Sequence, residues 1–147
     1  MSSSSRTIVR ECSLTLNLSI ICDDGPLPPT APTTSEDDEL FSDDPWIIAP
    51  IRADYGLNIK LGAGAFVNFN ACFVDTCLIE IGARTLCGPN CCFYSGTHPL
   101  DPALRRGTAG PELGKPIKIG EDCWLGTFVS SFRNSAHQAN LTSLETI

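Results

Sequence analysis

Large apolar residues return at every sixth position along the middle of this chain. They stand at Leu61, Val67 and Phe73, again at Ile81, Cys87 and Phe93, and again at Ile119 and Leu125. Four positions after each comes Ala65, Ala71, Cys77, Thr85, Cys91, Thr97, Cys123 or the larger Val129, and a glycine follows directly at Gly62, Gly82, Gly88, Gly120 and Gly126. A fixed short period of this kind predicts a solenoid, since ordinary sandwich strands place their turns every eight to twelve residues or so. Each hexad forms one short face of a triangular prism, the large residue fills the interior, and the small one lets the chain turn the corner. Three hexads make a coil of eighteen residues, from Leu61 to Leu78 and then from Ile81 to His98. A lone coil cannot hide its apolar interior, so neighbours must stack on it at about 4.8 Å. Ile79 and Glu80 interrupt the period and are expected to bulge outward at a corner.

Outside the repeat the pattern changes. Residues 1–43 are expected to form an irregular segment: Leu14-Thr-Leu-Asn-Leu-Ser-Ile20 alternates with the period of a half-buried strand, and residues 23–45, with Pro26, Pro28, Pro29, Pro32 and the acidic run Glu36 to Glu39, read as a solvated linker. The repeat core is expected over residues 44–130 and a non-repeat tail over 131–147. An excursion from Pro99 to Lys118, with four prolines, Arg105 and Arg106, interrupts the core; a loop of this length in a compact domain is usually functional or disordered.

Composition adds mainly exclusions. With 17 acidic and 10 basic residues, the formal charge of -7 gives no basic face for nucleic acid or anionic lipid. Leu14 to Cys22 is too short and too polar to span a bilayer, and the N-terminus lacks the features of a secretory signal, so a cytoplasmic location is expected. Eight cysteines without a Cys-x-x-Cys pair read as thiols, and no metal site is expected. The metal-dependent carbonic anhydrases built on a left-handed β-helix need a histidine cluster, whereas His98 is the one histidine in the repeat region.

Four motifs narrow the reading further: Asp54-Tyr-Gly-Leu-Asn-Ile59 with Asn68-Phe-Asn70, Thr97-His-Pro-Leu-Asp-Pro102, Gly110-Pro-Glu-Leu-Gly-Lys-Pro-Ile117, and Ile119-Gly-Glu-Asp-Cys-Trp-Leu-Gly126. In this order they resemble the maltose and galactoside O-acetyltransferases. The resemblance implies an all-β, left-handed parallel β-helix, assembly as a homotrimer, and transfer of an acetyl group from acetyl-CoA to a hydroxyl of a sugar or related small acceptor. It spans about residues 44–126. The family's N-terminal helical segment is not recognisable in residues 1–43, and its later coils, which bind the pantetheine and nucleotide, have no counterpart in the hexad pattern after Gly126. A C-terminally shortened chain is therefore expected, with weak or absent acetyl-CoA binding. An inactive remnant serving as a structural or subunit-interaction module is the alternative to an active enzyme.

Acetyl transfer from a thioester needs a base to take the hydroxyl proton and donors for the tetrahedral oxyanion. By the resemblance His98 is that general base, a task for which imidazole is suited near neutrality. Asn68 matches the family's asparagine near the reacting centre, where an amide can position the acceptor or donate to developing negative charge. Asp54 and Asp75 fall at or beside acceptor-binding positions, with Thr76 standing where some relatives carry a second acid. Glu112 either orients His98, touches the acceptor or is a solvated loop residue. Trp124 and Gly126 stand where the family approaches the pantetheine arm, Trp124 equally suiting a subunit interface. Coil arithmetic separates Asn68 and His98 onto different sides of a perimeter with faces about 20 Å long. If both act on one reacting atom, they come from neighbouring subunits of a closed ring.

Overall fold

The computed structural model describes residues 29–132. The alternating segment at Leu14–Ile20 and most of the C-terminal tail lie outside them. Short strands follow one another around three faces, and every pairing between coils is parallel. The first face stacks β1 (Trp46–Ile47), β4 (Phe66–Val67), β7 (Leu86–Cys87) and β12 (Trp124–Leu125). The second stacks β2 (Arg52–Ala53), β5 (Cys72–Val74), β8 (Cys92–Tyr94) and β13 (Ser130–Phe132). The third stacks β3 (Ile59–Leu61), β6 (Ile79–Ile81) and β11 (Ile117–Ile119). The architecture is the expected left-handed parallel β-helix.

The interior is built from columns of like residues in register. Ile47, Val67, Cys87 and Leu125 form one, Ile59, Ile79 and Ile117 a second, and Leu61, Ile81 and the partly buried Ile119 a third. On the second face Phe73 and Phe93 stack with ring centroids 4.9 Å apart. Corners turn through residues in the left-handed region, which polar or glycine residues accept at least cost. Gly64, Arg84 and Asp122 occupy one corner column and Asn70, Asn90 and Phe128 another.

Two expectations about the coil are corrected. Trp46 pairs with Phe66 and Phe66 with Leu86, so successive coils repeat after twenty residues rather than eighteen. Ile79 and Glu80 do not bulge: they belong to β6, and Ile79 is fully buried. The extra residues are taken up at the corner between the second and third faces, where buried Asp75 and Ser95 supply internal hydrogen bonds in place of apolar packing. The interior also extends below Leu61, through Phe41, Ile47, Ile51 and Ile59. A short helix α1 (Thr34–Glu39), N-capped by Thr33, precedes it. Above Gly126, β13 continues the coil by pairing with β8, so the helix extends past the point where the hexad pattern stops.

The long excursion leaves the helix through β9 (Gly96–Thr97) and returns through β10 (Leu113–Gly114), an antiparallel pair. Between them lie α2 (Pro102–Arg105), capped by the Asp101 side chain, and a 3-10 turn at Gly107–Ala109.

Candidate active site

The candidate residues gather at two corners of the prism. Asp54, Asp75, His98 and Glu112 lie at the corner joining the second face to the third, on three successive coils. Asn68, Gly126 and Trp124 lie at or beside the corner joining the first face to the second. Asn68 follows β4 and His98 follows β9, so the second face separates them within one chain.

His98 stands at the root of the excursion, exposed to solvent, just past the β9–β10 pair. The antiparallel register sets Thr97 against Leu113, and continuing it by one residue brings Glu112 across from His98. The Glu112 carboxylate nevertheless turns to the coil below, where it accepts a 2.8 Å hydrogen bond from the Thr76 hydroxyl. Gly96 makes room for this contact, since a Cβ there would collide with the Thr76 hydroxyl and crowd Glu112. Glu112 therefore anchors the excursion to the coil, and Thr76, whose role composition and period do not reveal, is its partner.

Asp75 departs from its expected role. Its side chain is fully buried, and its carboxylate accepts the backbone N–H groups of Tyr55 (2.8 Å), Leu57 (3.2 Å) and Asn58 (3.1 Å). The Asn58 amide donates in return to the Asp75 carbonyl at 2.8 Å. Burial raises the pKa of such a group, but the backbone N–H donors, Tyr55 and Asn58 foremost, outweigh it and hold the carboxyl pKa below its ordinary value. Occupied in this way, Asp75 shapes the loop after Asp54 instead of facing an acceptor. Asp54 itself is exposed at the end of β2, on the coil below Asp75.

At the other corner the Asn68 carbonyl oxygen accepts the Phe69 N–H at 2.9 Å. This leaves its amide N–H group without a partner among the described residues. On the next coils Gly88 sits directly against Gly126, where an added Cβ would lie 2.9 Å from the Gly126 carbonyl. Trp124 is 56% exposed and tops an outward column with Trp46, Phe66 and Leu86 on the first face. Beyond His98 the excursion encloses an apolar cleft of about 430 Å³ lined by Pro99, Ala103, Leu104, Arg106, Pro111 and Leu113. Among the described residues no group of His, Cys, Asp or Glu is arranged to hold a metal ion, and no helix is long and apolar enough to cross a membrane.

No protein-family profile matches the chain. A protein of Dictyostelium discoideum named as an acetyltransferase is 47% identical over 76 residues, covering 52% of this chain and 39% of its own length. Galactoside O-acetyltransferase of Escherichia coli is 33% identical over 94 residues, covering 62% of this chain and 45% of its own. The chain thus spans less than half the length of these relatives. Among solved structures, a maltose O-acetyltransferase from Clostridium difficile superposes with a TM-score of 0.58 at 28% identity, covering 86% of this chain and 65% of that one.

Proposed function

We propose that the chain belongs with the maltose and galactoside O-acetyltransferases it resembles and transfers an acetyl group from acetyl-CoA to a hydroxyl of a sugar or related small acceptor. The observation that carries this reading is the exposed His98 at the root of the excursion, on one corner with Asp54 and above a loop braced by Asp75. His98 takes the acceptor's hydroxyl proton while the oxygen attacks the thioester carbonyl. The amide N–H of Asn68 donates to the oxyanion of the tetrahedral intermediate. Collapse breaks the carbon–sulfur bond, and the proton held by His98 passes to the departing thiolate. Asp54 accepts hydrogen bonds from acceptor hydroxyls, and Glu112 keeps the excursion seated over the coil through Thr76.

Trp124 and Gly126 form the donor side, where bare backbone lets an extended thioester arm lie close and the indole covers its apolar part. Because Asn68 and His98 occupy opposite ends of the second face, the reacting centre is shared between copies in a homotrimer. The free edges of β11, β12 and β13 among the described residues favour a second reading, a non-catalytic module that pairs with a further strand.

The discriminating experiment follows free thiol release from acetyl-CoA over a panel of sugars, with His98→Ala alongside. A loss of roughly 10²–10⁴-fold in the variant is expected for removal of a general base. Equal activity in both proteins would exclude His98 as the base. No activity in a folded wild-type chain would favour the non-catalytic module.

A further inference from the structure

The outer surface of the second face carries a feature that acetyl transfer does not use. Register stacks Arg52, Cys72, Cys92 and Ser130 in one outward column, with Cys72 directly beside Cys92. Both cysteines are free and partly exposed. The Cys92 thiol donates to the Asn90 carbonyl at 3.8 Å, and Cys72, Cys92 and Tyr94 act on one another electrostatically across this surface. Adjacent strands lie about 4.8 Å apart, inside the Cα separation of about 4.4–6.8 Å found for disulfides. Their parallel Cβ bonds must lean together by a few tenths of an ångström to reach the usual Cβ spacing of about 3.5–4.5 Å. From this geometry we propose that Cys72 and Cys92 form a modification site, a dithiol that small-molecule disulfides oxidise to a bond between adjacent coils.

The step is thiol–disulfide exchange. One thiolate attacks a sulfur of the small disulfide, giving a mixed disulfide and releasing one small thiol. The second thiolate attacks the protein sulfur of that mixed disulfide and releases the other. Two protein thiols are oxidised by two electrons, the small disulfide is reduced by the same two, and both protons end on the released thiols. The remaining described cysteines are poorer candidates. Cys87, Cys91 and Cys123 are buried, and burial pushes the Cys87 thiol up to about 12. Cys77 lies off the column, at the neighbouring corner.

Three groups face the Cys72 thiol. Burial raises it, the neighbouring Cys92 and Asp54 raise it further, and Arg52 lowers it, leaving it above its ordinary value. Exchange by thiolate is accordingly slow near neutrality and quickens as pH rises.

The test treats the full chain with oxidised glutathione at about pH 7 and about pH 8.5, followed by alkylation of remaining thiols and peptide mapping by mass spectrometry. The expected product is a Cys72–Cys92 link within one chain, formed faster at the higher pH and with two thiols lost. Cys92→Ser and Cys72→Ser should each stop at a stable glutathione adduct on the remaining cysteine. Stable adducts on both thiols of the unchanged chain would overturn the proposal. So would a link between copies, a link through Cys12, Cys22 or Cys77, or full retention of both thiols.

Discussion

Asp75 shows how one buried charge organises a corner. Three backbone N–H groups end on its carboxylate, and no apolar residue could meet them there. Its pKa is depressed in the folded chain, so its contribution is complete above the unfolded value of about 3.9 and fades as pH falls through the lower folded value. Asp75→Asn should therefore cost about 1–3 kcal/mol near neutrality, the usual cost of leaving buried donors unmet. It should also flatten the loss of stability below about pH 4. Thermal melts at pH 7 and at pH 3 check both, and equal pH dependence in the two proteins would contradict the assignment. The sequence offered Asp75 as an acceptor ligand because a carboxylate beside a family motif suits that task equally well. What it could not show is that Tyr55, Leu57 and Asn58 turn their N–H groups inward, a consequence of the loop's path between coils. His98 and Asn68 were legible only through the motifs around them, and Thr76 was not legible, since a corner threonine carries no distinctive pattern.

At the scale of the element, the six-residue rhythm was readable because side chains alternate inward and outward at each face, and a large residue is needed wherever three faces converge. Phe73, Phe93, Val67 and Ile81 all fill the interior as that rule requires. The coil is longer than the hexads imply where polar residues enter the core. Asp75 and Ser95 are buried, yet their type reads as surface, so the hexad count alone places the lengthening at Ile79 and Glu80. The stacking distance also sets which glycines are required. A Cβ at Gly82 would lie 2.5 Å from the Gly120 backbone, whereas at Gly120 its nearest neighbour is the Cys123 sulfur at 3.7 Å. Gly82→Ala should destabilise by about 1–3 kcal/mol or more, because backbone one coil away cannot yield as a side chain can. Gly120→Ala should stay within about 0.5 kcal/mol of the parent. Chemical denaturation of the two variants side by side separates these outcomes, and equal losses would show that coil spacing is not the constraint.

For the whole molecule, the parallel stack puts Asp54, His98 and Glu112 on one corner and Asn68 and Gly126 on another, with the β2–β5–β8–β13 face between them. This division was legible from counting along the perimeter, although the coil proved longer than the hexads suggested. It makes a prediction that residue substitutions in a single protein cannot. His98→Ala and Asn68→Ala should each be nearly inactive alone. If neighbouring copies share the reacting centre, unfolding an equal mixture and refolding it together should restore transfer. In a closed ring each site draws Asn68 from one copy and His98 from the next. Random assembly then leaves about a quarter of the sites with both wild-type residues. Simple mixing without refolding should restore much less, since folded copies exchange slowly if at all. Recovery near a quarter of wild-type thiol release would establish sharing between copies. Complete absence of recovery, with size measurements showing mixed assemblies, would require each chain to hold its own reacting centre and a bend of the second face that brings its two corners together.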